Sequence, residues 1–307
     1  MSNTPNPTLP PTNTPLNSEI VTASSSPMSV SIPTLEPAIT PQATQLPQSA
    51  SCDMPGRIIN GRFPSEIDGP DRAYRIYLPP CYGEDGRTFP TLYLFHGGAH
   101  SDAHWDTLGI DEAADELIAA GVIPPVLIVM PDGGELANNS SGGPNSFEGL
   151  FIDELIPFIE SRYCVWSESD GRALGGISRG GYWALEIAFR QPDQFGSVGG
   201  HSAALLDTDA GPDMNPPETG LTNELGELRI YLDIGDRDWL INEVLELHED
   251  MSKVGVPHTW VLNEGQHAEV YWSEHLPEYL EWYAQPWATE RDLYPTCVLE
   301  AMGLDQE

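Results

Sequence analysis

Residues 172–182 read RALGGISRGGY, and within them Gly176-Ile177-Ser178-Arg179-Gly180 has the form G-x-S-x-G. An apolar run precedes the pentapeptide and an amphipathic one follows, so the pattern predicts a buried strand turning sharply into a helix, with Ser178 at the apex. The glycines leave room around a strained residue that bulkier neighbours would block. Ser178 is therefore the candidate nucleophile. The same letters also describe a Gly-rich turn with an ordinary helix-capping serine, so the reading depends on what flanks it.

Upstream, Gly56 to Phe63 and Ala73 to Leu78 (AYRIYL) predict two strands at an antiparallel edge, the second ended by Pro79-Pro80. Thr91 to Phe95 (TLYLF) predicts a short buried strand running into His96-Gly97-Gly98-Ala99, and Asp111 to Ala120 a helix stopped by Gly121. Val126 to Met130 is wholly apolar, as strands buried on both faces are, and a Gly/Asn/Ser loop follows its PDGG end. Phe147 to Tyr163 has helical spacing, with a kink or restart expected at Pro157. Downstream, a helix over Gly181 to Arg190, a short strand over Phe195 to Gly200 and a Pro/Gly/Asp loop from Asp207 to Leu221 are expected. The strand Leu228 to Ile234, the helix Trp239 to Val254, the strand His258 to Leu262 and the helix Val270 to Tyr283 complete the chain. Strands alternating with helices predict an α/β fold: one mainly parallel sheet covered by helices on both faces.

Catalytic groups in such a sheet lie in loops at the carboxyl ends of strands, in the order Ser, Asp or Glu, His. Two loops after Ser178 carry those side chains: Gly235-Asp236-Arg237-Asp238 after one strand and Asn263-Glu264-Gly265-Gln266-His267 after the next. Spacing alone does not separate Asp236 from Asp238. Asp233 lies inside the strand, too early to reach a loop at its tip.

The 307 residues, 40% of them hydrophobic, suffice for one large α/β domain. Forty-seven acidic against 13 basic residues give a net charge of −34, which opposes nucleic-acid phosphates and anionic membrane surfaces. Residues 1–50 contain no Gly, aromatic, Lys or Arg and are dominated by Pro, Thr and Ser. Such a segment buries too little apolar surface to fold, so a disordered linker over 1–50 and a catalytic domain over 51–307 are expected. No stretch approaches the roughly 18 apolar residues of a spanning helix, and no basic-then-apolar leader pattern precedes the tract. Four cysteines without a C-x-x-C point to an oxidising compartment, and Cys52–Cys81 and Cys164–Cys297 are the expected disulfides. A free, buried Cys164 is the competing reading.

YRIYLPPCY (Tyr74 to Tyr82), YLFHGG (Tyr93 to Gly98), VMPDGG (Val129 to Gly134), GGISRGG (Gly175 to Gly181), the G-x-x-D from Gly235 to Asp238 and the loop ending at His267 resemble the esterase D-like branch of the α/β-hydrolases. That branch includes feruloyl and acetyl-xylan esterases, S-formylglutathione hydrolases, enterochelin esterases and mycolyltransferases. The resemblance spans about residues 70 to 285. It implies an α/β-hydrolase fold and a serine esterase with Ser178 as nucleophile, Asp238 as acid and His267 as base. It also implies oxyanion donors on the backbone of Arg179 and of Gly98 or Ala99, with no cofactor and no metal. The implied partner is a small-molecule or polysaccharide-linked ester, outside the cell or tethered to its surface; oligomeric state stays open. An acyltransferase on the same triad, or a noncatalytic carbohydrate- or surface-binding protein of the same fold, are the alternatives.

Other residues carry weaker readings. His96, His100 and His104 recur every four residues, but the Gly97-Gly98 break argues against one helical metal face. Trp105, Trp239 and Trp272 are candidates for an aromatic substrate wall, against ordinary packing beside the site. His201-Ser202 reads as a structural pair, and Asp132 as a turn former that could border the pocket.

Overall fold

The computed structural model describes residues 54–69, 71–206 and 210–299. The expected N-terminal linker, Cys52 with its expected bond to Cys81, and residues 207–209 and 300–307 lie outside them.

Eight strands form one sheet in the order β1-β2-β4-β3-β5-β6-β7-β8. The first two, β1 (Arg57–Phe63) and β2 (Arg72–Leu78), pair antiparallel, and β2 meets β4 (Leu127–Pro131) antiparallel. All remaining neighbours, β3 (Thr91–Phe95), β5 (Arg172–Ile177), β6 (Ser197–His201), β7 (Arg229–Gly235) and β8 (Thr259–Asn263), run parallel. The centre explains the sequence pattern: every residue of β3, β4 and β5 is buried, because helices cover both faces.

Against one face pack α1 (His104–Leu108), α2 (Ile110–Ala119) and α9 (Glu269–Ala284), around Trp105, Ile110, Tyr271, Leu276 and Tyr279. Against the other pack the helical run from Phe147 to Glu160, α6 (Arg179–Arg190) and α8 (Ile241–Val254), around Phe151, Trp183, Leu185, Val244 and Leu247. This is the α/β-hydrolase arrangement expected from the sequence.

Three details differ from expectation. Gly134–Asn139, read as loop, is a short helix, α3. The Phe147 run restarts at Pro157 as expected, but a π-helical stretch, Leu150–Leu155, separates α4 (Phe147–Gly149) from α5 (Ile156–Glu160). Pro157 lacks the N–H that an α-helix would aim at the Asp153 carbonyl, and the wide turn just before it accommodates the proline without ending the helix. The stretch read as a Pro/Gly/Asp loop contains α7 (Pro216–Thr222), whose prolines occupy the first turn, where no N–H is required.

Cys164 and Cys297 form the expected disulfide. With the backbone bonds of Thr88 to Pro295 and of Cys297 to Gly86, it straps the C-terminal segment alongside the start of β3. Among the described residues, no helix is long and apolar enough to cross a membrane.

Candidate active site

Ser178 stands between β5 and α6 at φ 56° and ψ −116°, a left-handed conformation that a non-glycine residue adopts only under constraint. Two close approaches explain the flanking glycines. A Cβ on Gly176 would lie 2.2 Å from the Gly180 backbone, and one on Gly180 would lie 2.3 Å from the Phe95 carbonyl oxygen. The Ser178 N–H donates to the His201 carbonyl at the end of β6, and the Ser178 carbonyl accepts from Tyr182 and Ala204, so neighbouring backbone fixes the strained residue on both sides.

His267 comes from the loop after β8. Its Nε2 is 3.0 Å from Ser178 Oγ, and its Nδ1 lies 2.9 and 3.1 Å from the two carboxylate oxygens of Asp238. The Asp238 side chain is fully buried, and its Oδ1 also accepts the Leu240 N–H at 2.9 Å, so one carboxylate orients the imidazole and closes the turn into α8. Asp236 faces elsewhere. Its Oδ1 accepts the Gly265 N–H, and the backbone N–H groups of Asp236 and Arg237 donate to the Asn263 and Gly265 carbonyls. Those bonds zip the acid loop to the histidine loop.

Gly98 and Arg179 approach each other beside Ser178: a Cβ on Gly98 would sit 3.5 Å from Arg179 Cβ. The turn from Gly97 closes through the His100 N–H to the Gly97 carbonyl, bringing Ala99 to the same rim. Two side chains hold this region: that of Asn138, which the sequence did not single out, and that of Arg179, singled out only for its backbone. Asn138 in α3 donates to the Gly98 carbonyl, and the Arg179 guanidinium bonds the Ala137 and Ser140 carbonyls while lying over the Tyr182 ring. Both act through α3, where the sequence predicts a loop; no motif marks Asn138, and G-x-S-x-G does not specify the side chain at Arg179.

The tryptophans separate. Trp239 is 62% exposed, with its ring 5.2 Å from that of His267. Trp272 is buried edge-on against His267 at 4.9 Å, its Nε1–H donating to Ser202 Oγ. Trp105 is 1% exposed and donates to the Phe95 carbonyl beneath the strand end, which makes it a core residue and corrects its reading as substrate wall.

The remaining histidines divide similarly. His201 is fully enclosed, its Nδ1 against Asp233 at 2.7 Å and its Nε2 against the Tyr283 hydroxyl, a structural residue. His96 donates from Nδ1 to the Gly97 carbonyl and accepts the Gly133 N–H at Nε2, so backbone groups occupy both of its ring nitrogens. Asp132 accepts the Gly134 N–H at Oδ1, as expected of a turn former. Burial pushes the His104 imidazole down to about 4, against the opposing pull of Glu269.

A family model described as "Putative esterase" matches residues 65–283. An esterase of Mycobacterium tuberculosis (strain H37Rv) is 38% identical over 148 residues, covering 46% of this chain and 31% of that protein. An endo-1,4-beta-xylanase/feruloyl esterase of Xylanibacter ruminicola is 34% identical over 155 residues, 47% of this chain and 21% of that one. The chain thus spans at most about a third of the length of either relative. A solved ferulic acid esterase structure superposes with a TM-score of 0.69 at 24% identity, over 76% of this chain and 100% of that one.

Proposed function

The chain belongs to the Putative esterase family, and from that premise we propose that it is a serine carboxylic-ester hydrolase. Its substrates would be feruloyl or acetyl esters, carried by small molecules or plant polysaccharide. The observation that carries the reading is His267 bridging Ser178 Oγ and the Asp238 carboxylate through its two ring nitrogens. His267 Nε2 takes the hydroxyl proton as Ser178 Oγ attacks the acyl carbon, while Asp238 keeps the Nδ1 proton in place and stabilises the cationic ring. Charge developing on the carbonyl oxygen meets the backbone N–H groups of Arg179 and of Gly98 or Ala99, each worth about 3 kcal/mol in sites of this kind. His267 returns its proton to the departing alkoxide. It then deprotonates the water that opens the acyl-enzyme, restoring Ser178.

The names of the xylanase/feruloyl esterase and ferulic acid esterase relatives support an aromatic acyl group, and the exposed ring of Trp239 offers it a face. The disulfide and the Pro/Thr/Ser tract support an extracellular or surface-tethered catalytic domain over 51–307, with 1–50 as its linker.

The test is turnover of p-nitrophenyl acetate, methyl ferulate, acetylated xylan and S-formylglutathione by the native protein and by Ser178→Ala. The native protein should hydrolyse at least one ester, and Ser178→Ala should lose that activity with an unchanged circular dichroism spectrum. Retention of more than roughly 5% of native turnover by Ser178→Ala, above the residue expected from bypass chemistry, would remove the nucleophile assignment.

A further inference from the structure

The fold brings together three side chains beside Ser178 that are not part of the His267–Asp238 arrangement. His100 follows the turn after β3, His104 opens α1, and Glu269 opens α9, more than 160 residues further along the chain. The two imidazole rings stack with centroids 3.7 Å apart and planes 5° from parallel. Both present Nε2 to the same carboxylate, His100 at 3.0 Å from Oε1 and His104 at 2.9 Å from Oε2. One donor atom from each residue lies within 4.8 Å of the other two. A Cβ placed on Gly97 would stand 3.4 Å from His100 Nδ1, 3.8 Å from His104 Cε1 and 3.7 Å from Ser178 Cβ, so cluster and candidate nucleophile flank a single residue. The three residues form part of the wall of an open cavity of 810 Å³ that Ala99, Ser101 and Val270 also line.

We propose that His100, His104 and Glu269 form a binding site for a divalent transition-metal ion of the zinc type at the edge of the ester cleft. Two imidazole nitrogens and one carboxylate oxygen are the donor set of open zinc sites, whose remaining position is left for water or a ligand. Magnesium and calcium, which take oxygen donors, do not suit a site with two nitrogens in three. Zinc–nitrogen bonds of about 2.0–2.1 Å lie close to the plane of each imidazole, so ligation requires the half-exposed His100 ring to turn out of its stack on His104 and the half-exposed Glu269 carboxylate to rotate with it. His104 is the fixed member: it is buried, edge-on to Trp272, and its Nδ1 accepts the Gly97 N–H at 3.4 Å. That bond leaves the neutral ring's proton on Nε2, donated to Glu269. Ligation through Nε2 moves the proton to Nδ1 and gives up the long Gly97 contact. Without metal, the same trio is a carboxylate accepting two N–H bonds, and the experiment separates the two states.

The full chain is stripped with EDTA, dialysed and titrated with Zn²⁺ by isothermal calorimetry in 0.15 M salt, alongside His100→Ala, Glu269→Gln and His248→Ala. His248 pairs with His258 elsewhere on the surface, 2.7 Å apart, and serves as the control for adventitious histidine binding. One Zn²⁺ per native chain is expected. Affinity should fall by about tenfold or more in His100→Ala and in Glu269→Gln and stay at the native value in His248→Ala, whereas Mg²⁺ should give no stoichiometric heat. Glu269→Gln is isosteric, so the test stands even where His100→Ala disturbs its turn, and circular dichroism monitors folding of each variant. Absence of one-to-one Zn²⁺ binding, equal affinity in all four proteins, or loss confined to His248→Ala overturns the site. None of these results bears on the esterase reading, which is tested separately by turnover of the metal-stripped native protein.

Discussion

Replacing Asp238 by Asn isolates the orientation of His267 from the stability of the loop that carries it. In the structure Asp238 Oδ1 accepts the Leu240 N–H at 2.9 Å, and the carboxylate holds His267 Nδ1 at 2.9 to 3.1 Å. Asn can keep its oxygen on the Leu240 N–H, so the turn survives, but its amide N–H₂ then faces His267 Nδ1. A donor there favours the tautomer protonated on Nε2, whose N–H points at Ser178 Oγ and cannot take a proton from it. Loss of the correct tautomer costs ~10⁴ in kcat in the protease triad, about 5 kcal/mol of barrier. The loss of one charged acceptor at the turn is worth only ~1 kcal/mol of stability. Asp236→Asn is the matched control: its carboxylate sits at the surface and accepts the Gly265 N–H, which an amide oxygen also accepts, so turnover should stay within roughly threefold and stability within about 0.5 kcal/mol. Stopped-flow or plate-reader kinetics on p-nitrophenyl acetate, with urea unfolding for both variants, decide the matter. If Asp238→Asn retains more than roughly a tenth of native kcat, or if Asp236→Asn is the crippled protein, the carboxylate acting on His267 has been misassigned.

Trp239→Ala should raise KM for methyl ferulate by about fivefold, the worth of one aromatic contact near 1 kcal/mol, and change p-nitrophenyl acetate turnover by less than about twofold; equal losses on both esters would argue against a substrate wall. Glu186, enclosed within α6, has its carboxyl pushed up from 4.5 to about 8 by burial and by the Glu148 charge, against the pull of Arg190. Between those values the folded protein holds a proton that the unfolded chain has released, so this group's contribution to stability is greatest below 4.5, falls as pH rises, and levels off above 8. Glu186→Gln, neutral throughout, should therefore gain stability relative to the native protein between pH 5 and pH 8, by on the order of 1 to 3 kcal/mol; a constant difference in urea midpoint at the two pH values refutes this.

The strand-loop-helix order was legible because each central strand is buried on both faces and therefore reads as an unbroken apolar run. TLYLF and the apolar residues around Val126 could be nothing else at that length between glycine loops. The elbow and the two loops after β7 and β8 were legible for a related reason: glycines mark the places where the chain must turn sharply at a strand end. What remained hidden depends on contacts distant in sequence. Glu269 lies two residues past His267, just before the helix expected from Val270, where nothing in the sequence sets it apart, and only the packing of α9 against α1 brings it to His100 and His104. Trp105 and Trp239 could not be told apart because both adjoin candidate loops; the first points under the sheet end and the second out to solvent. The resemblance assigned Asp238 over Asp236 by counting from Gly235. The structure gives that count a physical meaning, since the first aspartate of the loop is used to hold the neighbouring loop and the second is turned inward.

Asp233 shows how the three loops of the site are held in register. It is fully buried in β7 yet meets His201 Nδ1 and the hydroxyls of Tyr271 and Tyr279, and the His201 ring continues to the Tyr283 hydroxyl. A carboxylate withdrawn from water is tolerable only when donors replace its hydration, and here one imidazole and two phenols do so. Those donors come from β6 and α9, and the same residues reach the site through their backbones. The His201 carbonyl accepts the Ser178 N–H, the Asp233 carbonyl accepts the Ser202 N–H, and α9 begins two residues after His267. A shift of any one element would therefore strand part of a buried charge network as well as displace a loop. The acid loop and the histidine loop each run directly into an element that carries members of that network, and the nucleophile loop is hydrogen-bonded to one of them, His201. Positional precision at the surface is thus underwritten by polar chemistry below it, in a region where the sequence offers only an aspartate in a strand and tyrosines in a helix.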